Sequence, residues 1–181
     1  MESAAQIIGI AAMAFNVLSF QGKTVKRVML CQLTGETLFA VNYMMLGAFG
    51  GGLLNVVAAF RSLVFLNRQV CKADHPAWMW IFCGIYLLSY AATFLVFGTA
   101  PTPVNFLLEL LPVIGMVAVT VSLRAGSAAA IRRYGVISAV SWLIYSIAAF
   151  SIGAMLCESL SLISIAIGMA RHDRKREESE I

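Results

Sequence analysis

Seven runs of predominantly apolar residues divide the chain at 4–20, 28–47, 51–67, 77–97, 104–123, 131–149 and 152–170. A bilayer hydrocarbon core about 30 Å thick takes roughly 20 residues of α-helix, with a range of about 17 to 25. All seven runs fall in that window, so the pattern predicts an all-α polytopic membrane protein with seven transmembrane helices. Two connections are very short, "LGAFGGG" after the second run and "AFSIG" after the sixth. Their glycines are expected to supply the positive φ of a tight reversal, making each pair an antiparallel hairpin.

The cations that interrupt the runs are distributed on one side. Lys23, Lys26 and Arg27 follow the first run, Arg68 and Lys72 the third, Arg124, Arg132 and Arg133 the fifth, and Arg171, Arg174, Lys175 and Arg176 the seventh. These are twelve of the 13 basic residues, and short cytoplasmic loops carry such an excess. The N-terminus is therefore expected outside and the C-terminal tail in the cytoplasm. Arg61, the thirteenth, lies inside the third run near its basic end, where its head can snorkel. Trp78 and Trp80, beside Pro76, are expected to anchor the fourth helix at the interface.

Composition agrees with the pattern: 60% of residues are hydrophobic and 12% charged, against roughly a quarter charged in soluble domains. The net charge of +4 sits in loop clusters between apolar runs, which excludes a nucleic-acid reading. Residues 1–3 lack Lys and Arg, so the first run is expected to be retained as a helix. Cys31, Cys71, Cys83 and Cys157 have no zinc or disulfide spacing, and no motif supplies a nucleophile with its base or a phosphate-cradling loop. No enzyme activity, cofactor or metal is expected, and His75 and His172 read as solvated.

A constant shift of 103 residues lays runs one to three on runs five to seven without a gap, as from Asn55 to Glu158. The identities it produces are near chance; the agreement of helix lengths, hairpins and charge carries the expectation. A three-helix unit ends across the membrane from its start, so a second unit of like orientation requires one extra crossing. The predicted division is a first three-helix bundle over 1–70, a linker helix within 71–100, a second bundle over 101–172 and a charged tail over 173–181. This is a 3+1+3 arrangement of two parallel bundles.

The same shift pairs Asn55 with Glu158, Phe39 with Trp142, Gln6 with Glu109 and Gly9 with Pro112. At about 1.5 Å per residue, Asn55 lies roughly 6 Å and Glu158 roughly 9 Å below the outer ends of their helices. A carboxylate in hydrocarbon costs on the order of 3 kcal/mol even on the mildest scale, so such groups face a bundle interior or a wet cavity. Glu158 either lines a central polar cavity opposite Asn55 or is interfacial or interhelical glue. Glu36 lies near the depth of Arg61 and pairs with it structurally or serves ion coupling. Asn16 and Asn42 read as interhelical hydrogen-bonding groups rather than ligand contacts, and Glu109 as a hydrated residue near the outer end. Pro112 either hinges the fifth helix or is absorbed by packing.

The run Glu109-Leu110-Leu111-Pro112-Val113-Ile114-Gly115, then Ser151-Ile152-Gly153 with Met155 and Glu158, and "MLGAFGGGLLN" followed by Arg61, resemble the YgjV-type bacterial inner-membrane family over nearly the whole chain. That family looks like a relative of the SWEET and PQ-loop transporters, which implies two three-helix bundles around a substrate path. By this resemblance Asn55 and Trp142 match in kind the asparagine and aromatic residue that sugar-transporting relatives offer to substrate. Phe39 and Glu158 depart, and Glu158 argues against a sugar. The proline-glutamine pair is also missing, with Ser19-Phe20-Gln21 and Ser122-Leu123-Arg124 in its place.

The expected function is a facilitator or proton-linked transporter of a small polar or cationic solute in the bacterial inner membrane, working by alternating access. Asn55, Glu158, Phe39 and Trp142 would contact solute, and Glu158 and Glu36 would couple a proton or ion. The alternative is a non-transporting scaffold, partner subunit or lipid-interacting protein of the same fold, its cavity filled by Met, Leu and Phe. The lipid bilayer is the one partner both readings require.

Overall fold

A computed structural model describes residues 2–19, 25–73, 75–125 and 128–172, with only the backbone described for 19, 25–29, 123–125, 128–131 and 171–172. Lys23, Arg174, Lys175, Arg176 and the charged tail expected at 173–181 lie outside the described residues. So do the side chains of Lys26, Arg27, Arg124, Arg171 and His172.

Among the described residues the regular secondary structure is all α-helix. The elements are α1 (Glu2–Ser19), α2 (Val25–Met45), α3 (Phe49–Leu66), α4 (Arg68–Cys71), α5 (Ala77–Leu95), α6 (Pro103–Ala125), α7 (Ala128–Ala148) and α8 (Ile152–His172). The seven long helices follow the apolar runs to within a few residues, and α4 adds one turn in the expected loop. By length and apolarity α3, α5, α6 and α8 suffice to cross a membrane, while α1 is apolar but shorter over its searched part. Polar residues dilute α2 and α7, which carry Gln32, Thr34, Glu36 and Thr37, and Arg132, Arg133 and several serines.

Local chemistry sets the helix ends. Pro103 opens α6 with its φ already helical, and the Thr102 hydroxyl caps the first turn by accepting the Asn105 N–H at 3.2 Å. Lys72 ends α4 in a left-handed conformation, φ 48°. The α2–α3 and α7–α8 turns are the same motif. In the first, Ala48 N–H reaches Tyr43 O (2.9 Å) and Gly47 N–H reaches Met44 O (3.2 Å). In the second, Ser151 N–H reaches Ser146 O (3.0 Å) and Phe150 N–H reaches Ile147 O (3.2 Å). Both pairs form a Schellman closure around one left-handed residue, Gly47 at φ 75° and Phe150 at φ 52°. The expectation that glycine makes both reversals is corrected here: in "AFSIG" the left-handed residue is Phe150. Gly153 serves another purpose, since a Cβ on it would overlap the Gly9 backbone where α1 crosses α8.

Helices adjacent in sequence pack together within α1–α3 and within α6–α8. The two sets meet where α1 packs on α8 and α3 on α6, and α5 packs on both α3 and α6. Polarity is inverted relative to a soluble protein. Asn42, Ser146 and Ser151 are fully buried, whereas Leu88, Leu95 and Ile7 are 71%, 83% and 68% exposed. Pro112 is fully buried within α6, which runs on through it; lacking an N–H, it leaves the Leu108 carbonyl without its usual helical donor.

A one-ended polar cavity as the candidate functional site

Each cavity-facing helix contributes a stripe at helical spacing: positions 32, 36, 39 and 43 of α2, 55, 58, 61, 62 and 65 of α3, and 154, 157, 158 and 161 of α8. With parts of α1, α5, α6 and α7 they enclose a cavity of about 730 Å³. Of the residues singled out in the sequence, Asn55, Glu158, Phe39, Trp142, Glu36, Arg61 and Asn16 all line it. Asn42, Glu109 and Pro112 do not. Asn16 thus parts company with Asn42, with which its type and setting had grouped it.

The cavity is open at one end. There it is bordered by Arg68 and His75, both exposed, and by Trp78. Trp78 is more than an interfacial anchor: its indole N–H donates to Cys71 O (3.0 Å) and its ring stacks on Phe82 at 5.7 Å. Trp80, 73% exposed, keeps the outward position expected of an anchor. We refer to this as the basic end.

The opposite end, at the two hairpin turns, is sealed in layers. Tyr43 packs on Trp142 (5.9 Å) and Tyr145 (5.6 Å), and its hydroxyl lies 2.7 Å from Ser146 Oγ, 103 positions along the chain. Behind this layer Tyr145 Oη accepts the Gly51 N–H at 2.8 Å. Asn42 donates to Ala5 O (2.7 Å) and accepts from Ser151 (2.6 Å), tying α1, α2 and the start of α8 together. Gln6 of α1 clasps the α7–α8 turn, donating to Phe150 O (2.6 Å) and accepting the Ile152 N–H (3.0 Å). Glu109, expected to be hydrated, is half-buried against Gly50, with both carboxylate oxygens 3.4 Å from Tyr145 Oη. It borders a separate shallow pocket of about 190 Å³.

The charged groups in the cavity differ in how they are satisfied. Arg61 Nη2 lies 3.7 Å from Glu36 Oε1, and Ser62 donates to the other Glu36 oxygen at 2.6 Å. Arg61 Nη1 also reaches Tyr86 Oη at 3.4 Å, and Tyr86 in turn lies 3.0 Å from Thr120. Glu36 and Arg61 therefore neutralise one another. Glu158 makes no hydrogen bond or ion pair with any described residue. Asn55 directs its amide nitrogen to its own helix, at Gly51 O (2.9 Å).

Tyr43, Ser146 and Tyr145, which seal the cavity, were not singled out in the sequence. The 103-residue shift pairs Tyr43 with Ser146, unlike residues that meet each other, so a search for like on like passes over them. The usable signal was Tyr43 itself, one turn beyond Phe39 on the face shared by Gln32 and Glu36.

No curated protein and no solved structure matches the chain at a significant level. The family model Imp-YgjV, a bacterial inner membrane protein, matches residues 3–176, nearly the full length and including every residue of the cavity, and the chain belongs to that family.

Proposed function

We propose that this inner-membrane protein is a facilitator or proton-linked transporter of a small polar or cationic solute, working by alternating access. Two parallel three-helix units, joined by α5, form seven spans with the N-terminus outside and the C-terminus cytoplasmic. The observation that carries this reading is the cavity: roomy, lined by polar and aromatic side chains, open at the basic end and sealed at the hairpin end by side chains from both halves. A passage that admits solute from one side at a time needs such a half-open form. Contacts between residues 103 apart, and matching turns at Gly47 and Phe150, support the two-unit arrangement. With the basic end cytoplasmic, the cavity opens inward.

In this mechanism solute enters past His75 and Trp78 and reaches Glu158 and Asn55, with Phe39 and Trp142 packing on it. Release to the other side requires the Tyr43–Ser146 and Asn42–Ser151 contacts to part while the basic end closes. Pro112 lets α6 flex because the Leu108 carbonyl is already free of its helical bond. A filled cavity would have favoured the scaffold reading, and among the described residues Met79 and Met116 are the only methionines that reach the lining.

The test is solute-driven dissipation of a proton gradient, together with counterflow, in proteoliposomes of the full-length protein, using solutes first selected by thermal shift. Glu158→Gln is expected to abolish or uncouple flux while leaving the unfolding temperature within a few degrees. Undiminished flux in that variant would remove the central role of this carboxylate.

A further inference from the structure

At the blind end of the cavity the hydroxyl donors are engaged by the protein, and a carboxylate stands among aromatic rings. Ser146 Oγ gives its one proton to Trp142 O at 2.6 Å, so the 2.7 Å contact with Tyr43 uses the Tyr43 proton. Asn55 gives one of its two amide protons to Gly51 O. Trp142 directs its pyrrole edge at α6, where a Cβ on Gly115 would lie 2.9 Å from Nε1. Arg61, six residues or about 9 Å along α3 from Asn55, is held by Glu36 and Tyr86. The same lining holds the Glu158 carboxylate, without a partner among the described residues, and the rings of Phe39, Tyr43 and Trp142.

From this juxtaposition we propose that the blind end is a binding site for an organic cation of the methylated-ammonium class, with Glu158 as counter-ion and the three rings as its walls. A neutral sugar or polyol would leave the charge of the unpartnered Glu158 carboxylate uncompensated in a buried site, whereas a cation compensates it. A bare metal ion asks for several oxygen ligands, and the described residues hold no cluster of three or more acidic, His or Cys side chains. A methylated ammonium donates few or no hydrogen bonds and is attracted to a carboxylate and to aromatic faces together. The inference deepens the transport reading by naming its substrate class, but the site would bind its ligand whether or not the protein moves it.

The experiment uses the full-length protein in nanodiscs, with choline as the probe and, as control, its neutral isostere in which a tert-butyl carbon replaces the quaternary nitrogen. Isothermal titration is expected to show choline binding and binding of the isostere at least about tenfold weaker, a difference of about 1.4 kcal/mol. Glu158→Gln should remove the preference for the charged ligand, and Trp142→Leu should weaken choline while leaving that preference in place. Should Glu158→Gln fail to fold, Glu158→Asp, which keeps the carboxylate but draws it back by one methylene, should reduce the preference for the charged ligand, and Trp142→Phe, which keeps a ring, should restore choline binding that Trp142→Leu loses. Equal binding of choline and isostere, or binding of neither, overturns the proposal. Labelled-choline uptake separates the two readings: binding without uptake leaves the site and removes transport, whereas flux of an uncharged solute with no choline binding leaves transport and removes the cation site.

Discussion

The first and last three long helices close their hairpin turns alike and carry different chemistry. At positions 103 apart the turns close with the same two hydrogen bonds, and Gly50 and Gly153 each sit where another helix crosses close by. Yet Gln6 and Asn55 in the first half stand where Glu109 and Glu158 stand in the second. The first half keeps its one cavity acid, Glu36, beside its own cation, Arg61, and the corresponding positions in the second half are Ala139 and Ser164. The turns match although one uses Gly47 and the other Phe150, because each closure is made by backbone hydrogen bonds. Charge is not duplicated, and neither Ala139 nor Ser164 reaches the cavity lining.

The largest effect expected from disturbing this contrast is at the paired charges. Arg61→Met strands Glu36 in a buried site and should cost about 3–5 kcal/mol, while the double variant Glu36→Gln, Arg61→Met should recover most of it. Thermal unfolding in detergent reads both, and equal losses in the single and double variants would show that the pair is not a unit.

Next come the two crossings. A methyl group at Gly153 meets the Gly9 backbone, which cannot yield without moving α1, whereas one at Gly50 meets the Glu109 carboxylate, the far end of a flexible side chain. Gly153→Ala should therefore cost about 1–3 kcal/mol and Gly50→Ala clearly less. A reversed order of unfolding temperatures would contradict the asymmetry.

A smaller effect is expected where Gln6 and Glu109 correspond. Gln6 both donates to and accepts from the opposite turn, and an ionised carboxylate only accepts. Gln6→Glu should lose the bond to the Phe150 carbonyl and about 1 kcal/mol, while Glu109→Gln should be neutral or mildly stabilising. Protection of the Phe150–Ile152 amides from hydrogen exchange would fall in the first variant alone.

Smallest is the difference between the turns. Gly47→Ala places a Cβ in a left-handed conformation at a cost of about 1 kcal/mol, whereas Phe150→Gly relieves that strain and should raise the unfolding temperature by one or two degrees at most. A gain at Gly47 would show that the two closures are not equivalent.

Helix number and extent were legible because a bilayer of fixed thickness dictates run length, and the cavity-lining set was largely legible because a charged or amide group in hydrocarbon has few places to go. What spacing cannot carry is the identity of a partner. Asn16 and Asn42 have similar settings in the sequence, but only Asn42 lies where Ala5 and Ser151 converge. Phe150 as the left-handed residue ran against the ordinary preference for glycine, and tertiary closure of the hairpin overrode it. The seal made by Tyr43 and Ser146 depends on two helices meeting at equivalent points, which no local pattern records.

The linking helix bears on what the halves could do apart. Trp78, Phe82 and Tyr86 recur every four residues along α5 and stack in series at 5.7 and 6.2 Å; the first two line the cavity and Tyr86 reaches Arg61. The connection is thus part of the container, and a version assembled from two separate three-helix fragments would have a breach on that flank, however faithfully the fragments paired.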